Sequence, residues 1–118
     1  MEMNIAIVGG RNFNDYELLK KTLNDYIENK SFLNAIVSGG ADGTDILAER
    51  YAEEMGVEMI VFRPDYKKFG RLAALHRNTE IIENSDVVFA FWDGKSRGTH
   101  DSIKKAKKFE KKLFIINF

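Results

Sequence analysis

The chain has 118 residues, 44% of them hydrophobic and 31% charged, the balance of an ordinary globular domain. Lysine plus arginine and aspartate plus glutamate both number 18, so no net field draws in a polyanion and nucleic acid is not the expected partner. The absence of cysteine excludes disulfides and thiolate metal sites and fits a cytoplasmic setting, while no apolar run nears the roughly 20 residues of a membrane span.

Residues 3–8 read as a buried strand, whose four-residue apolar run, Ile5–Val8, is too short for a secretory leader. A helix is expected next, with Asn14 or Asp15 as N-cap and Leu18, Leu19, Leu23, Tyr26 and Ile27 at helical spacing to about Asn29. Residues 33–38 read as the second strand. The second helix begins near Gly43, shows Leu47, Ala48, Tyr51, Ala52 and Met55 on one face, and stops at Gly56, a residue suited to the C′ position. A third strand over 57–62 is closed by Arg63-Pro64-Asp65, since proline cannot sit mid-strand. Residues 64–70 read as a loop carrying Tyr66 and Phe69. The third helix spans about 71–83, with Leu72, Leu75, Ile81 and Ile82 as its apolar set and His76, Arg77 and Asn78 on its other face. Residues 85–91 are the fourth strand. The fourth helix starts near Thr99 with Ile103, Ala106 and either Phe109 or Glu110 turned inward, and 113–117 form the last strand.

Five short strands, most of them continuous apolar runs, thus alternate with four helices. Strands that are apolar throughout, rather than alternating, belong to a parallel sheet covered on both faces. With right-handed crossovers this is an α/β, Rossmann-like, doubly wound sheet. Residues 1–118 read as a single domain.

Function is concentrated where three strands run into glycines and then into a helix. The junctions are Gly9-Gly10-Arg11, Ser38-Gly39-Gly40-Ala41-Asp42-Gly43-Thr44-Asp45 and Trp92-Asp93-Gly94-Lys95-Ser96-Arg97-Gly98-Thr99. Glycines let backbone approach a ligand, and a helix N-terminus offers unpaired N–H groups to an anion. A strand order of 3-2-1-4-5 would gather the three junctions round one cleft, where ligands of such sheets bind. The expected ligand carries phosphate. The Thr44, Ser96 and Thr99 hydroxyls would donate to it, and Arg11, Arg77 and Arg97 would neutralise it with forked guanidinium groups. Asp45 or Asp101 would accept ribose hydroxyls. Trp92, Tyr66 or Phe69 would stack on a base, and His100 beside Asp101 forms a candidate proton-transfer pair. Neither the P-loop nor the dinucleotide fingerprint occurs, so classical NTPases and dehydrogenases are a poor match. The lysines 104, 105, 107, 108, 111 and 112 crowd one helix, either as a solvated face or as a patch that steers an anion. No residue pattern calls for a metal or a cofactor.

The ordered motifs Val8-Gly9-Gly10-Arg11-Asn12-Phe13, Ser38-Gly39-Gly40-Ala41-Asp42-Gly43-Thr44-Asp45, His76-Arg77-Asn78 and Phe91-Trp92-Asp93-Gly94-Lys95-Ser96-Arg97-Gly98-Thr99 resemble the SLOG superfamily in its YspA-like, YpsA-related branch. The resemblance implies a nucleotide-derived ligand of the ADP-ribose, NAD-derived or cyclic nucleotide type, bound by a homo-oligomer that senses, carries or sequesters it. It also implies two alternatives: hydrolysis like that of the LOG enzymes, and single-stranded DNA binding like that of the DprA proteins. Two departures stand out. Gly10 replaces the branch's usual serine, and Ser102 occupies the place of the LOG catalytic glutamate, with Asp101 one residue early. Whether the chain is an enzyme is left open; Asp101 and Arg77 are the catalytic candidates in that case.

Overall fold

The computed structural model describes residues 2–27 and 32–118. Its strands are β1 (Met3–Gly9), β2 (Leu33–Ser38), β3 (Glu58–Val61), β4 (Val87–Trp92) and β5 (Lys112–Asn117). Its helices are α1 (Tyr16–Tyr26), α2 (Thr44–Met55), a single turn α3 (Tyr66–Phe69), α4 (Ala73–Glu83) and α5 (Arg97–Lys108), with a 3-10 turn at Gly70–Leu72. All neighbouring strands pair in parallel, in the order β3-β2-β1-β4-β5. The α/β, Rossmann-like sheet expected from the apolar runs is therefore present.

Alternation along β1 divides the core in two. Ile5 and Ile7 pack with Leu19 and Leu23 of α1 and with Ala48 and Tyr51 of α2. Ala6 and Val8 face the other way, against Ile81 and Ile82 of α4 and Ile103 and Ala106 of α5. Both faces are covered, so the apolar side chains in the middle of β1, β2 and β4 leave water, each worth about 1.5–3 kcal/mol for a fully buried Val, Leu, Ile or Phe. No helix among the described residues is long and apolar enough to cross a membrane.

Several boundaries differ from the sequence reading. Helix α1 ends at Tyr26, with Ile27 in extended conformation as its cap; Asn29 lies outside the described residues. Residues 64–70 are not simply a loop, because the Asp65 carboxylate accepts from the Lys68 N–H at 3.1 Å and nucleates α3. Leu72 and Leu75, expected in the core, are 59% and 44% exposed, and the inward face of α4 is Ala73, Asn78, Ile81 and Ile82. Phe109 and Glu110 are likewise exposed. Helix α5 starts at Arg97 rather than Thr99, because Ser96 is its N-cap.

Candidate functional site

Helices α1 and α2 leave the sheet on one face and α4 and α5 pack on the other. Between β1 and β4 the two sets of connections diverge, and the carboxyl edge of the sheet opens there into a cleft of about 550 Å³. Val8 and Gly9 form its floor. Gly39, Ala41 and Asp45 stand on one side, and Ser96, Arg97, Gly98, Thr99 and Ser102 on the other. Gly10, Arg11 and Asn12 form a rim, and Ala74, Leu75, Arg77, Asn78 and Ile81 of α4 close the top.

Local hydrogen bonds set each junction. Thr44 clamps the first to the second: its N–H and Oγ1 both donate to the Gly10 carbonyl, at 3.2 and 2.8 Å. That hydroxyl is buried and spent on the loop, so it does not face the cleft as expected. Gly43 stands at φ 69°, and a Cβ there would overlap the Arg11 carbonyl group. Asp45 reaches back over the first turn of α2 and accepts from the Ala41 N–H at 3.0 Å. Burial raises its pKa above the ordinary carboxylate value, against the opposing pull of the Ala41 and Gly39 N–H groups and the Arg77 and Arg11 charges.

The third junction is laced by Asp93, whose Oδ1 accepts from the Lys95 and Ser96 N–H groups, each at 2.8 Å. These bonds hold its carboxyl below the usual range. Trp92 Nε1 donates to the Ser96 carbonyl at 3.1 Å, and its ring stacks on His100 with centroids 5.5 Å apart. The indole is a brace for this loop and does not line the cleft. The Ser96 and Thr99 hydroxyls lie 3.0 Å apart, so they bond to each other at the mouth of the site.

On α4, Arg77 donates through Nη1 to the Gly39 carbonyl at 2.8 Å and through Nε to Asn78 Oδ1 at 3.1 Å. The backbone of Gly39 leaves the room for this: a Cβ there would meet Arg77 Nη1 at 2.5 Å. Asn78 in turn donates to Asp101, which is ion-paired with Lys105 at 2.7 Å. Asp101 therefore lies on the α4–α5 seam outside the cleft lining, and its partners there are Asn78 and Lys105, not His100.

Of the expected ligand residues, Gly9, Gly10, Arg11, Gly39, Ala41, Asp45, Arg77, Asn78, Ser96, Arg97, Gly98 and Thr99 converge on the cleft. Ser38, Gly40, Asp42, Gly43, Thr44, Trp92, Asp93, Gly94 and Lys95 shape the loops behind it or lie on their outer side. Ser38 is buried, and its Oγ has no partner among the described residues. The expected stacking aromatics are elsewhere too: Phe69 stacks on His76 at 3.8 Å, and Tyr66 is exposed. The sequence reading missed Asn12, Ser102 and the aliphatic wall of Val8, Ala74, Leu75 and Ile81. One signal for that wall was present, since Ala74, Arg77, Asn78 and Ile81 have the i, i+3, i+4, i+7 spacing of a single helix face.

None of Arg11, Arg77 and Arg97 belongs to a salt bridge within 4.0 Å among the described residues. Together with the N-termini of α2 and α5 they surround a concave, backbone-lined space. Fold and cleft define a Rossmann-like domain with an open cleft at the reversal of strand order. More particularly, the model of the YspA, cpYpsA-related SLOG family matches residues 3–69, and the chain belongs to that family.

A relative from Mycobacterium phage D29, the gene 61 protein, is 31% identical over 120 residues, covering 97% of this chain and 94% of its own. Among solved structures, DNA processing protein A from Helicobacter pylori, described for its mode of binding single-stranded DNA, is 27% identical with a TM-score of 0.72. The match covers 96% of this chain and 64% of that one. DprA from Streptococcus pneumoniae superposes with a TM-score of 0.77 at 19% identity, over 99% of this chain and 51% of that one. The chain thus spans about half to two thirds of these two proteins. They correct the expectation drawn from the charge balance: a protein of this fold binds single-stranded DNA, so zero net charge does not set nucleic acid aside. Net charge is a sum over the whole surface, whereas a strand meets only a local patch of it.

Proposed function

We propose that the cleft binds the phosphate of a nucleotide-derived small molecule, of the ADP-ribose, NAD-derived or cyclic nucleotide type, and that the protein senses, carries or sequesters that molecule. The observation that carries this reading is the convergence of Arg11, Arg77 and Arg97 with two helix N-termini on one backbone-lined cleft. Membership of the family and likeness to the DprA structures support the broader statement, a nucleotide- or DNA-related binding domain. Gly39, Ala41 and Gly98 would admit the phosphate closely, Asn12 and Asp45 would meet ribose hydroxyls, and Leu75 with Ala74 and Ile81 would lie against the base. A homo-oligomer belongs to the same proposal, and sedimentation of the purified protein reads it directly.

A second reading is single-stranded DNA binding, favoured by the 27% identical H. pylori protein. Both readings face one experiment. Purified protein is mixed separately with AMP, adenosine, ADP-ribose, cyclic ADP-ribose, NAD, cyclic dinucleotides and an oligothymidylate, and melting is followed. The small molecules are then recovered and chromatographed. Stabilisation by a phosphorylated compound that returns intact, with none by adenosine, supports the first reading. Response to the oligothymidylate alone selects the second. A compound that returns cleaved makes the protein a hydrolase, with Asp45 as the acid nearest the ligand. Failure of every compound to bind removes the phosphate cleft.

A further inference from the structure

One chain of hydrogen bonds leads from the outer face of α5 to the cleft. Lys105, its side chain 19% exposed, donates to Asp101 Oδ2 at 2.7 Å and to the Leu75 carbonyl at 2.6 Å. Asp101 Oδ2 also accepts from Asn78 Nδ2 at 3.1 Å. The same Asn78 nitrogen reaches the Gly98 carbonyl at 3.4 Å, while Asn78 Oδ1 accepts from Arg77 Nε at 3.1 Å. Arg77 Nη1 completes the chain on the Gly39 carbonyl at 2.8 Å.

The Asn78 amide can satisfy these partners in only one orientation. Turned over, its NH₂ would face the Arg77 Nε–H, donor against donor, and its oxygen would face the Asp101 carboxylate, acceptor against acceptor. The Asp101 oxygen at one end accepts and the Arg77 Nε–H at the other donates, so Asp101 helps to fix which way Asn78 points. Asn78 is buried, so a hydrogen-bond partner it loses is costly to replace. Its oxygen then holds Arg77 by Nε, and the Gly39 carbonyl holds it by Nη1. The guanidinium is fixed at two points and keeps its remaining donors for an anion.

From this we propose that Asp101 is a positioning residue. Through the orientation of Asn78 it sets the Arg77 guanidinium in the cleft, and it does not touch the ligand. The inference rests on the phosphate-cleft reading for its effect on binding, but not for its effect on Arg77 itself. A role of this kind accounts for an acid placed one residue away from the position of the LOG glutamate and turned to the helix seam.

Two measurements test it on the whole chain. The first needs no ligand: hydrogen exchange of the Arg77 Nε–H, followed by nitrogen-15 NMR. Asp101→Ala should accelerate it severalfold, whereas Asp101→Asn, whose side-chain oxygen still accepts from Asn78, should restore most of the protection. Unchanged exchange in Asp101→Ala overturns the proposal whatever the cleft binds. The second is titration with AMP and adenosine. Asp101→Ala should weaken AMP about three- to tenfold, the cost of re-ordering one long side chain, and leave adenosine unaffected. Added to Arg77→Ala, it should weaken AMP no further, because both act through one group. Losses that add mean Asp101 meets the ligand directly and sink the positioning role. Wild-type protein that binds AMP no better than adenosine removes the phosphate reading instead, and the exchange result alone then decides on Asp101.

Discussion

Asp45 stands where burial disfavours its charged form. Burial is the largest influence on its pKa and outweighs the N–H groups and arginines that favour ionisation. Because the folded pKa lies above the unfolded one, the folded state binds more protons between the two values. Stability is therefore fully present below about 3.8 and is lost as pH rises through the raised folded value. Replacing Asp45 by Asn keeps an oxygen for the Ala41 N–H and removes the charge. In the absence of ligand, Asp45→Asn should melt higher than wild type at pH 7, and the difference should close towards pH 3.8. A difference that grows in acid would mean that the arginines, not burial, govern this carboxylate.

Gly39 separates stability from binding at the same scale. Its missing Cβ leaves room for Arg77 Nη1, the far end of a flexible side chain that can move aside. Gly39→Ala should therefore leave the melting temperature within a few degrees of wild type. It should also weaken AMP tenfold or more, as loss of a charged hydrogen-bonding partner does.

At the scale of elements, what local pattern determines was legible and what tertiary contact determines was not. Sheet direction and the three junctions followed from apolar runs ending in glycine, whereas the strand order entered only as the condition under which the junctions meet and is supplied by the structure. Helix α3 did not, because one turn has no period and exists through a single Asp65 cap. Leu75 was misread because an apolar residue on a helix resembles core whether it faces the sheet or borders a cleft, and Leu72 because it stands in the 3-10 turn before α4. The glycines located the site, but nothing local says that Thr44 and Trp92 turn inward to brace loops while Asn12 lines the rim. That depends on neighbours more than 30 residues away in the case of Thr44 and Gly10. The junction between α2 and the loop of β1 is the tightest of these dependencies. Gly43 combines φ 69° with a Cβ position already taken by the Arg11 backbone, which cannot rotate away. Gly43→Ala should cost roughly 1–3 kcal/mol in urea unfolding through strain alone, with displacement of Arg11 in addition. A cost below about 0.5 kcal/mol would show that the first two junctions are not locked together.

Over the whole molecule, zero net charge conceals a division. The cleft gathers arginines, and α5 carries lysines along its outer side, of which Lys104, Lys107 and Lys108 are exposed. Cations near a helix C-terminus stabilise the helix through its dipole, and that alone is a sufficient structural reason for lysines in the last turn of α5. Their use in binding can be separated from this by ligand size. A nucleotide confined to the cleft does not reach beyond Arg97 and Ser102, whereas a strand is long enough to run the roughly 18 Å of α5. Replacing Lys104, Lys107 and Lys108 together by Ala should leave AMP affinity within about twofold of wild type, since none of the three lines the cleft. If the oligothymidylate binds, the same change should flatten the dependence of log K on log salt by about 2, because each phosphate contact on a single strand contributes roughly 0.7 to that slope. An oligothymidylate that binds with an unaltered slope would place the strand on the cleft arginines alone and leave the lysines with the helix dipole as their whole purpose. A loss of AMP affinity in the triple variant would mean instead that the field of α5 reaches the cleft. The zero sum of charges would then be the wrong scale at which to read this protein's electrostatics.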